Sequence, residues 1–219
     1  AYANSNIDII TSDNKVVQLS DIKRKNINGD KTVYSISCHE QFCYLSCGFG
    51  IVVVDLQRME VSNTYIIGDD GNYLPVYDIA FSNDGFIYAA TKQGIRYAPL
   101  QGVNLLDYSN WSLVTAIGLD QYSIDYISFG AGRIWAARKS DEWMGDRTFS
   151  RHAESVWYQE IRSIQKIHDF EIFGDWLYYC SDKGIEVVDR SGARQIFIDN
   201  YPFATEEIQI SPISVMPDS

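Results

Sequence analysis

Residues 76–100, VYDIAFSNDGFIYAATKQGIRYAPL, hold two runs in which aromatic and aliphatic residues interleave with small ones. Ser82-Asn83-Asp84-Gly85 separates the runs, and Lys92-Gln93-Gly94 precedes a third. Short apolar runs bounded by turn residues predict strands joined by tight turns, an up-and-down series in place of helices. Close variants recur at 33–56, 124–138 and 167–189. With Ile36, Ile79, Ile127 and Phe170 as equivalent points in the first strand, the steps are 43, 48 and 43 residues. A period of about 40–50 residues with four strands per unit predicts an all-β fold, a β-propeller of four-stranded antiparallel blades. Gly50, Gly94 and Gly184 fall 14, 15 and 14 residues after their markers, so the turn into the third strand is predicted to need a positive φ.

The pattern begins inside a unit. Tyr2 to Ile7 overlay the second strand and turn of 76–100, with Asn6 where later units carry Gly, and no first strand precedes them. At the other end 208–219, IQISPISVMPDS, resembles an opening strand and turn, with Ile213 placed 43 residues after Phe170. Two arrangements follow: about five blades closed into a ring by pairing the N- and C-terminal strands, which removes exposed edges, or an arc of a larger propeller. Either way 1–219 reads as a single β-propeller domain and as a fragment of a longer multidomain protein.

The third unit departs from the template. Between its second strand and the return of strand character at 155–161 it inserts 140–154, SDEWMGDRTFSRHAE. A long loop on a rigid scaffold is where binding residues tend to be placed. Arg138 and Lys139 lead into it, and it collects Trp143, Met144, Arg147, Arg151 and His152. Guanidinium and aromatic groups together suit anionic or sugar-bearing ligands, although a polar excursion that packs locally would have the same composition. Lys23-Arg24-Lys25 is a second basic run, either a partner surface or a solvated loop.

Composition narrows the classes. The 219 residues carry a formal charge of −11, against nucleic-acid binding, and no run approaches the roughly 18 apolar residues of a membrane helix. Asp69-Asp70-Gly71-Asn72 is a turn without EF-hand spacing, and His39, His152 and His168 lack metal-ligand spacing, so no metal and no cofactor is expected. Nucleophile elbows and phosphate loops are absent. Asp78, Asp125 and Asp169 recur one or two residues before the markers, which favours turn capping or pairing between blades over a glycosidase pair, and no enzyme is predicted. Cys38 and Cys43 flank a four-residue link and are either bonded across a hairpin or buried as thiols; Cys47 and Cys180 hold equivalent positions three units apart.

Leu19-Ser20-Asp21-Ile22-Lys23-Arg24-Lys25-Asn26-Ile27-Asn28-Gly29-Asp30-Lys31 and Tyr44-Leu45-Ser46-Cys47-Gly48-Phe49-Gly50-Ile51-Val52-Val53-Val54-Asp55-Leu56, followed by Thr64-Tyr65-Ile66-Ile67-Gly68, resemble the N-terminal propeller of PorZ-like proteins. These are accessory components of the type IX secretion system in Bacteroidetes. The resemblance is specific over 1–100 and continues more weakly as blade pattern. It implies an extracytoplasmic, non-enzymatic protein of the periplasm or outer-membrane surface, working beside a PorU-like sortase that attaches cargo to anionic lipopolysaccharide, with binding of that glycolipid. Related propellers form the periplasmic sensors of hybrid two-component regulators, which implies the alternative of an oligosaccharide-sensing domain.

Overall fold

The structure, a computed structural model, describes residues 6–24, 26–27, 29–130, 132–138, 147–151, 156–162, 167–173, 176–181, 184–188 and 194–199. The expected closing strand at 208–219 and the overlay of residues 2–5 lie outside them. The chain separates into two compact units, 1–114 and 115–219.

In the first unit β1 (Ile7–Ile10) and β2 (Val16–Leu19) form an antiparallel pair, and α1 (Asp21–Arg24) follows. A four-stranded meander comes next: β3 (Val33–His39), β4 (Phe42–Cys47), β5 (Gly50–Asp55) and β6 (Glu60–Tyr65). A second is built from β7 (Val76–Phe81), β8 (Phe86–Thr91), β9 (Gly94–Pro99) and β10 (Ser112–Leu113). The second unit repeats the plan twice, with β11 (Tyr126–Gly130), β12 (Arg133–Arg138), β13 (Arg147–Arg151) and β14 (Trp157–Arg162), then β15 (Ile167–Phe173), β16 (Trp176–Ser181), β17 (Gly184–Val188) and β18 (Arg194–Asp199). These antiparallel four-stranded meanders are the blades that the period predicts.

Strand β5 explains why its sequence runs apolar without alternation. Ile51 and Val53 pack with Val76, Ile79, Ile87 and Ala89 of the following sheet, whereas Val52 and Val54 pack with Ile7, Leu19, Ile22 and Ile27 on the other side. A strand covered on both faces can be apolar at every position, and each fully buried aliphatic side chain contributes about 1.5–3 kcal/mol. Trp111, 3% exposed, closes the outer end of the first of these cores and donates its indole N–H to the Leu105 carbonyl at 3.1 Å.

The repeat extends to the register. Ile36, Ile79, Ile127 and Phe170 lie opposite Leu45, Ala89, Ala136 and Tyr179. Two residues before the marker the ladder slips, so that Tyr34, Tyr77 and His168 are bulged out of their inner strands. A bulge re-aims the side chain it carries and increases local twist. Gly50 and Gly94 match the prediction, with φ of 145° and 84°. A Cβ at Gly50 would run into the carbonyl oxygen of Tyr65.

One expectation is corrected. The stretch 140–154 contains the third strand of its blade, β13, because Arg147-Thr148-Phe149-Ser150-Arg151 alternates at a strand period; 155–161 then holds most of the fourth strand. The connection between β12 and β13 is accordingly 139–146, and Arg147 and Arg151 are strand residues paired with Arg138 and Ile134. The 105–117 segment forms only a two-residue strand, β10, preceded by a 3₁₀ turn over Tyr108–Asn110 in which the Asp107 carboxylate accepts from the Ser109 N–H.

Candidate functional site

Each meander carries its second-to-third-strand turn at the end where the chain enters its first strand. In the first unit that end holds the 20–32 connection, the Gly48-Phe49 turn, the 66–75 connection and the Lys92-Gln93 turn. The backbone ties them together through Gly48 N–H to Thr32 carbonyl and Lys92 N–H to Pro75 carbonyl, both at 3.1 Å. In the second unit the corresponding end of the β11–β14 blade carries the 139–146 connection. Both basic stretches singled out in the sequence therefore belong to the same kind of blade end.

On the first of them, α1 places Lys23 and Arg24 outward by burying Ile22, which is 2% exposed, in the core shared with β1, β2 and β5. Asp21 in the first turn and the two basic residues in the last oppose the peptide dipoles favourably. Lys31 folds back and donates from Nζ to the Lys23 carbonyl at 3.1 Å. The basic run thus doubles as a helix terminus. Lys25 lies outside the described residues.

On the second, Arg138 ends β12 with its guanidinium 3.9 Å from the centroid of the Tyr122 ring. Tyr122 is held there by the 3₁₀ segment Ala116–Gln121, whose Leu119 is fully buried and whose carbonyl accepts from the Tyr122 N–H. Such a contact contributes about 0.5–1 kcal/mol at an exposed site and holds the charge near the blade end. Arg147 lies directly opposite Arg138, and Arg162, at the end of β14, lies directly opposite Arg147. Arg151 sits at the far end of β13, opposite Trp157, so the four-residue spacing of Arg147 and Arg151 puts them at opposite ends of one strand. Lys139, Trp143 and His152 lie outside the described residues. Arg162 carried no signal in the sequence by itself, because its register depends on a bulge opposite Thr148 and Phe149.

A third group was not singled out in the sequence. The bulged Tyr34 and Tyr77 meet edge to face with ring centroids 5.0 Å apart, and the Tyr34 hydroxyl donates to Asp30 at 2.5 Å. Asp30 also accepts from the Thr32 N–H and hydroxyl, at 2.8 and 2.6 Å. These donors hold the Asp30 carboxyl below its usual range, the Thr32 hydroxyl contributing most. Burial, then the bond to Asp30, pushes the Tyr34 phenol up to about 12.

Of the acidic candidates, Asp69, Asp70 and Asp78 hold structural places, and the side chain of Asp169 lies outside the described residues. Asp69 accepts from the buried Arg96 at 2.8 Å, and Asp70 and Gly71 turn the chain with φ of 55° and 72°. The Asp78 carboxylate accepts from the Ile79 N–H at 2.9 Å beside the bulge, and the Asp125 N–H donates to the Ala137 carbonyl at 3.0 Å. Among the described residues no three His, Cys, Asp or Glu side chains converge as a metal site. Cys38 and Cys43, facing each other across β3 and β4, are bonded as a disulfide, while Cys47 is a buried thiol raised by burial to about 12. Among the described residues no helix is long and apolar enough to cross a membrane.

The family model described as "TSS9, PorZ, N-terminal beta-propeller domain" matches residues 1–112. No curated protein matches the chain. Among solved structures, PorZ, an essential bacterial surface component of the type IX secretion system of Porphyromonas gingivalis, is similar with a TM-score of 0.69 at 18% identity, over 88% of this chain and 24% of PorZ. The extracellular domain of BT4673 from B. thetaiotaomicron, described as a one component system, has a TM-score of 0.59 at 14% identity, over 88% of this chain and 27% of its own. Virginiamycin B lyase from Staphylococcus aureus reaches 0.62 at 13% identity, over 90% and 65%. At these identities the likeness is one of fold, and the chain spans about a quarter of PorZ and of the BT4673 domain.

Proposed function

Since the chain belongs to the family of PorZ N-terminal β-propeller domains, we propose that it is a non-enzymatic binding and assembly module of a PorZ-like protein at the extracytoplasmic face of the outer membrane. In this reading it assists type IX secretion beside a PorU-like sortase and contributes to recognition of anionic lipopolysaccharide. The observation that carries it is the family match over residues 1–112, the half of the chain that holds the basic run Lys23-Arg24-Lys25. Two features support a docking role. The β3–β6 blade carries a core on each face, and Lys23 and Arg24 stand exposed on the connection that enters it, where sequence is free to vary. A purified PorU-like sortase from the same organism should bind the immobilised chain. Lys23→Glu/Arg24→Glu should weaken that binding by about tenfold or more if this end docks it. Absence of binding to the sortase and to the organism's own anionic lipopolysaccharide would remove the proposal.

The likeness to the BT4673 extracellular domain favours a second reading, a periplasmic propeller that senses an oligosaccharide for a two-component regulator. A ligand bound by the folded state raises the melting temperature by mass action. A panel of oligosaccharides that leaves the melting temperature unmoved would count against sensing while leaving the assembly role intact.

A further inference from the structure

The bulged tyrosines of the first unit carry a site of their own: we infer that Tyr34, braced by Tyr77 and paired with Asp30, forms a subsite for a neutral pyranose sugar. Tyr34 and Tyr77 occupy the same position in successive inner strands, where the bulge re-aims the side chain. Their rings meet edge to face at 5.0 Å, and Tyr34 stays 42% exposed. The Tyr34 ring is thus fixed without being buried. Its hydroxyl donates to Asp30 Oδ2 at 2.5 Å, and Thr32 holds Asp30 Oδ1 through its N–H and hydroxyl. Gly48 makes room for that carboxylate, since a Cβ there would stand 2.7 Å from Oδ2. The backbone already ties this connection to the blade, from the Gly48 N–H to the Thr32 carbonyl, so the Tyr34 bond adds orientation of the ring. Immobilising a half-exposed side chain costs conformational entropy, whereas an aromatic face oriented in advance lowers what binding must later overcome.

Hydrogen-bond accounting selects the ligand. Among the described residues Oδ2 accepts only from Tyr34, so one of its lone pairs remains, and the Tyr34 oxygen, having donated its proton, also remains an acceptor. Two neighbouring acceptors call for two donors. Adjacent hydroxyls of a sugar ring supply them, while the apolar C–H face of a pyranose covers an aromatic face such as that of Tyr34. A phosphate or carboxylate offers acceptors only, and it would meet an Asp30 carboxyl that Thr32 and Tyr34 hold below its usual range and so ionised. A cation is disfavoured by the 20–32 connection, which carries Lys23, Arg24, Lys25 and Lys31 against Asp21 and Asp30. The site deepens the oligosaccharide reading above by naming the sugar class and the residues, and it rests on that reading only for expecting a sugar. A network that merely orders the connection is the competing account, and it predicts no ligand.

The test titrates the 219-residue chain with cellobiose, maltose, mannobiose and chitobiose, and with glucose 6-phosphate and N-acetyl-lysine amide as anionic and cationic probes. NMR reads it through the Tyr34 ring signals, identified by their loss in Tyr34→Phe. At least one neutral disaccharide is expected to bind saturably and shift those signals, with both charged probes bound about tenfold more weakly or not at all. Tyr34→Ala should weaken the sugar about tenfold or more and Asp30→Asn about fivefold. Tyr34→Phe, which keeps the ring and loses its anchor and one acceptor, should fall between the wild type and Tyr34→Ala. Tyr108→Ala, at an exposed tyrosine on another connection, should bind as the wild type does. Melting curves check that each variant is folded, and if Tyr34→Ala is not, Tyr34→Phe and Asp30→Asn carry the comparison. The inference is overturned if no disaccharide binds, if either charged probe binds as tightly as the best sugar, if Tyr108→Ala loses as much as Tyr34→Ala, or if Tyr34→Phe and Asp30→Asn bind like the wild type. In that last case the sugar sits elsewhere and the sensing reading stands without this site; if no sugar binds, the sensing reading falls with it and the assembly role is untouched.

Discussion

Arg96 is 3% exposed within β9, and its Nη2 donates at 2.8 Å to the carboxylate of Asp69, which reaches solvent on the neighbouring connection. The pair clamps the 66–75 connection onto the blade it precedes and keeps that turn's first acid engaged with a buried guanidinium.

Removing either partner has unequal consequences. Asp69→Ala leaves a buried guanidinium short of an acceptor and is expected to cost about 1–3 kcal/mol. Arg96→Met replaces charge with apolar volume and should cost less than Asp69→Ala. Urea denaturation of both variants reads the difference, and an equal or larger loss for Arg96→Met would contradict it.

The turn glycines separate backbone strain from collision. Gly50 has φ 145° and its absent Cβ would strike the Tyr65 carbonyl, whereas Gly85 has φ 82° with nothing within 4 Å. Gly85→Ala is expected to cost about 1–2 kcal/mol, the penalty of left-handed backbone alone. Gly50→Ala should exceed about 3 kcal/mol because β6 must also shift. Similar melting temperatures for the two variants would refute the steric account.

Tyr34 and Asp30 make stability depend on pH at both extremes. A phenol raised from 10.0 to about 12 keeps its proton longer in the native state. Its contribution is therefore complete below pH 10 and lost as pH rises through about 12. The lowered Asp30 carboxyl has the opposite sign, contributing above its ordinary 3.8 and losing that contribution as pH falls through the lower native value. Tyr44, raised by burial to about 12, adds to the alkaline limb. Tyr34→Phe should flatten part of that limb; an unchanged stability profile between pH 9 and 12 would break the assignment.

The cysteines divide by chemistry. The Cys38–Cys43 bond closes a short loop, with a sequence separation of 5, so Cys38→Ser/Cys43→Ser is expected to lose about 2 kcal/mol on the chain-entropy account. Cys47 is fully buried with its thiol raised to about 12. In a Cys180→Ser background the native protein should resist a thiol reagent that labels it at once in denaturant. Rapid native labelling would show that the β4–β5 core opens freely.

How much was legible in the sequence follows from which interactions are local. The blade period, the strand pairs about the four markers and the positive φ at Gly50 and Gly94 follow from alternation and turn chemistry within about 25 residues, and the chain by itself determined them. The run LSDIKRK was equally legible as a resemblance, although not as a helix whose Ile22 is buried by distant strands. Tertiary structure decided what depends on register. A one-residue slip moves every side chain of a strand to the other face, and each bulge is such a slip. Composition alone therefore read 140–154 as a loop, although β13 starts there, and could not find Arg162 opposite Arg147. The same holds for Tyr34 against Tyr77 and for Arg96 against Asp69: each pair joins residues 27 to 43 positions apart, whose meeting is fixed by how sheets stack.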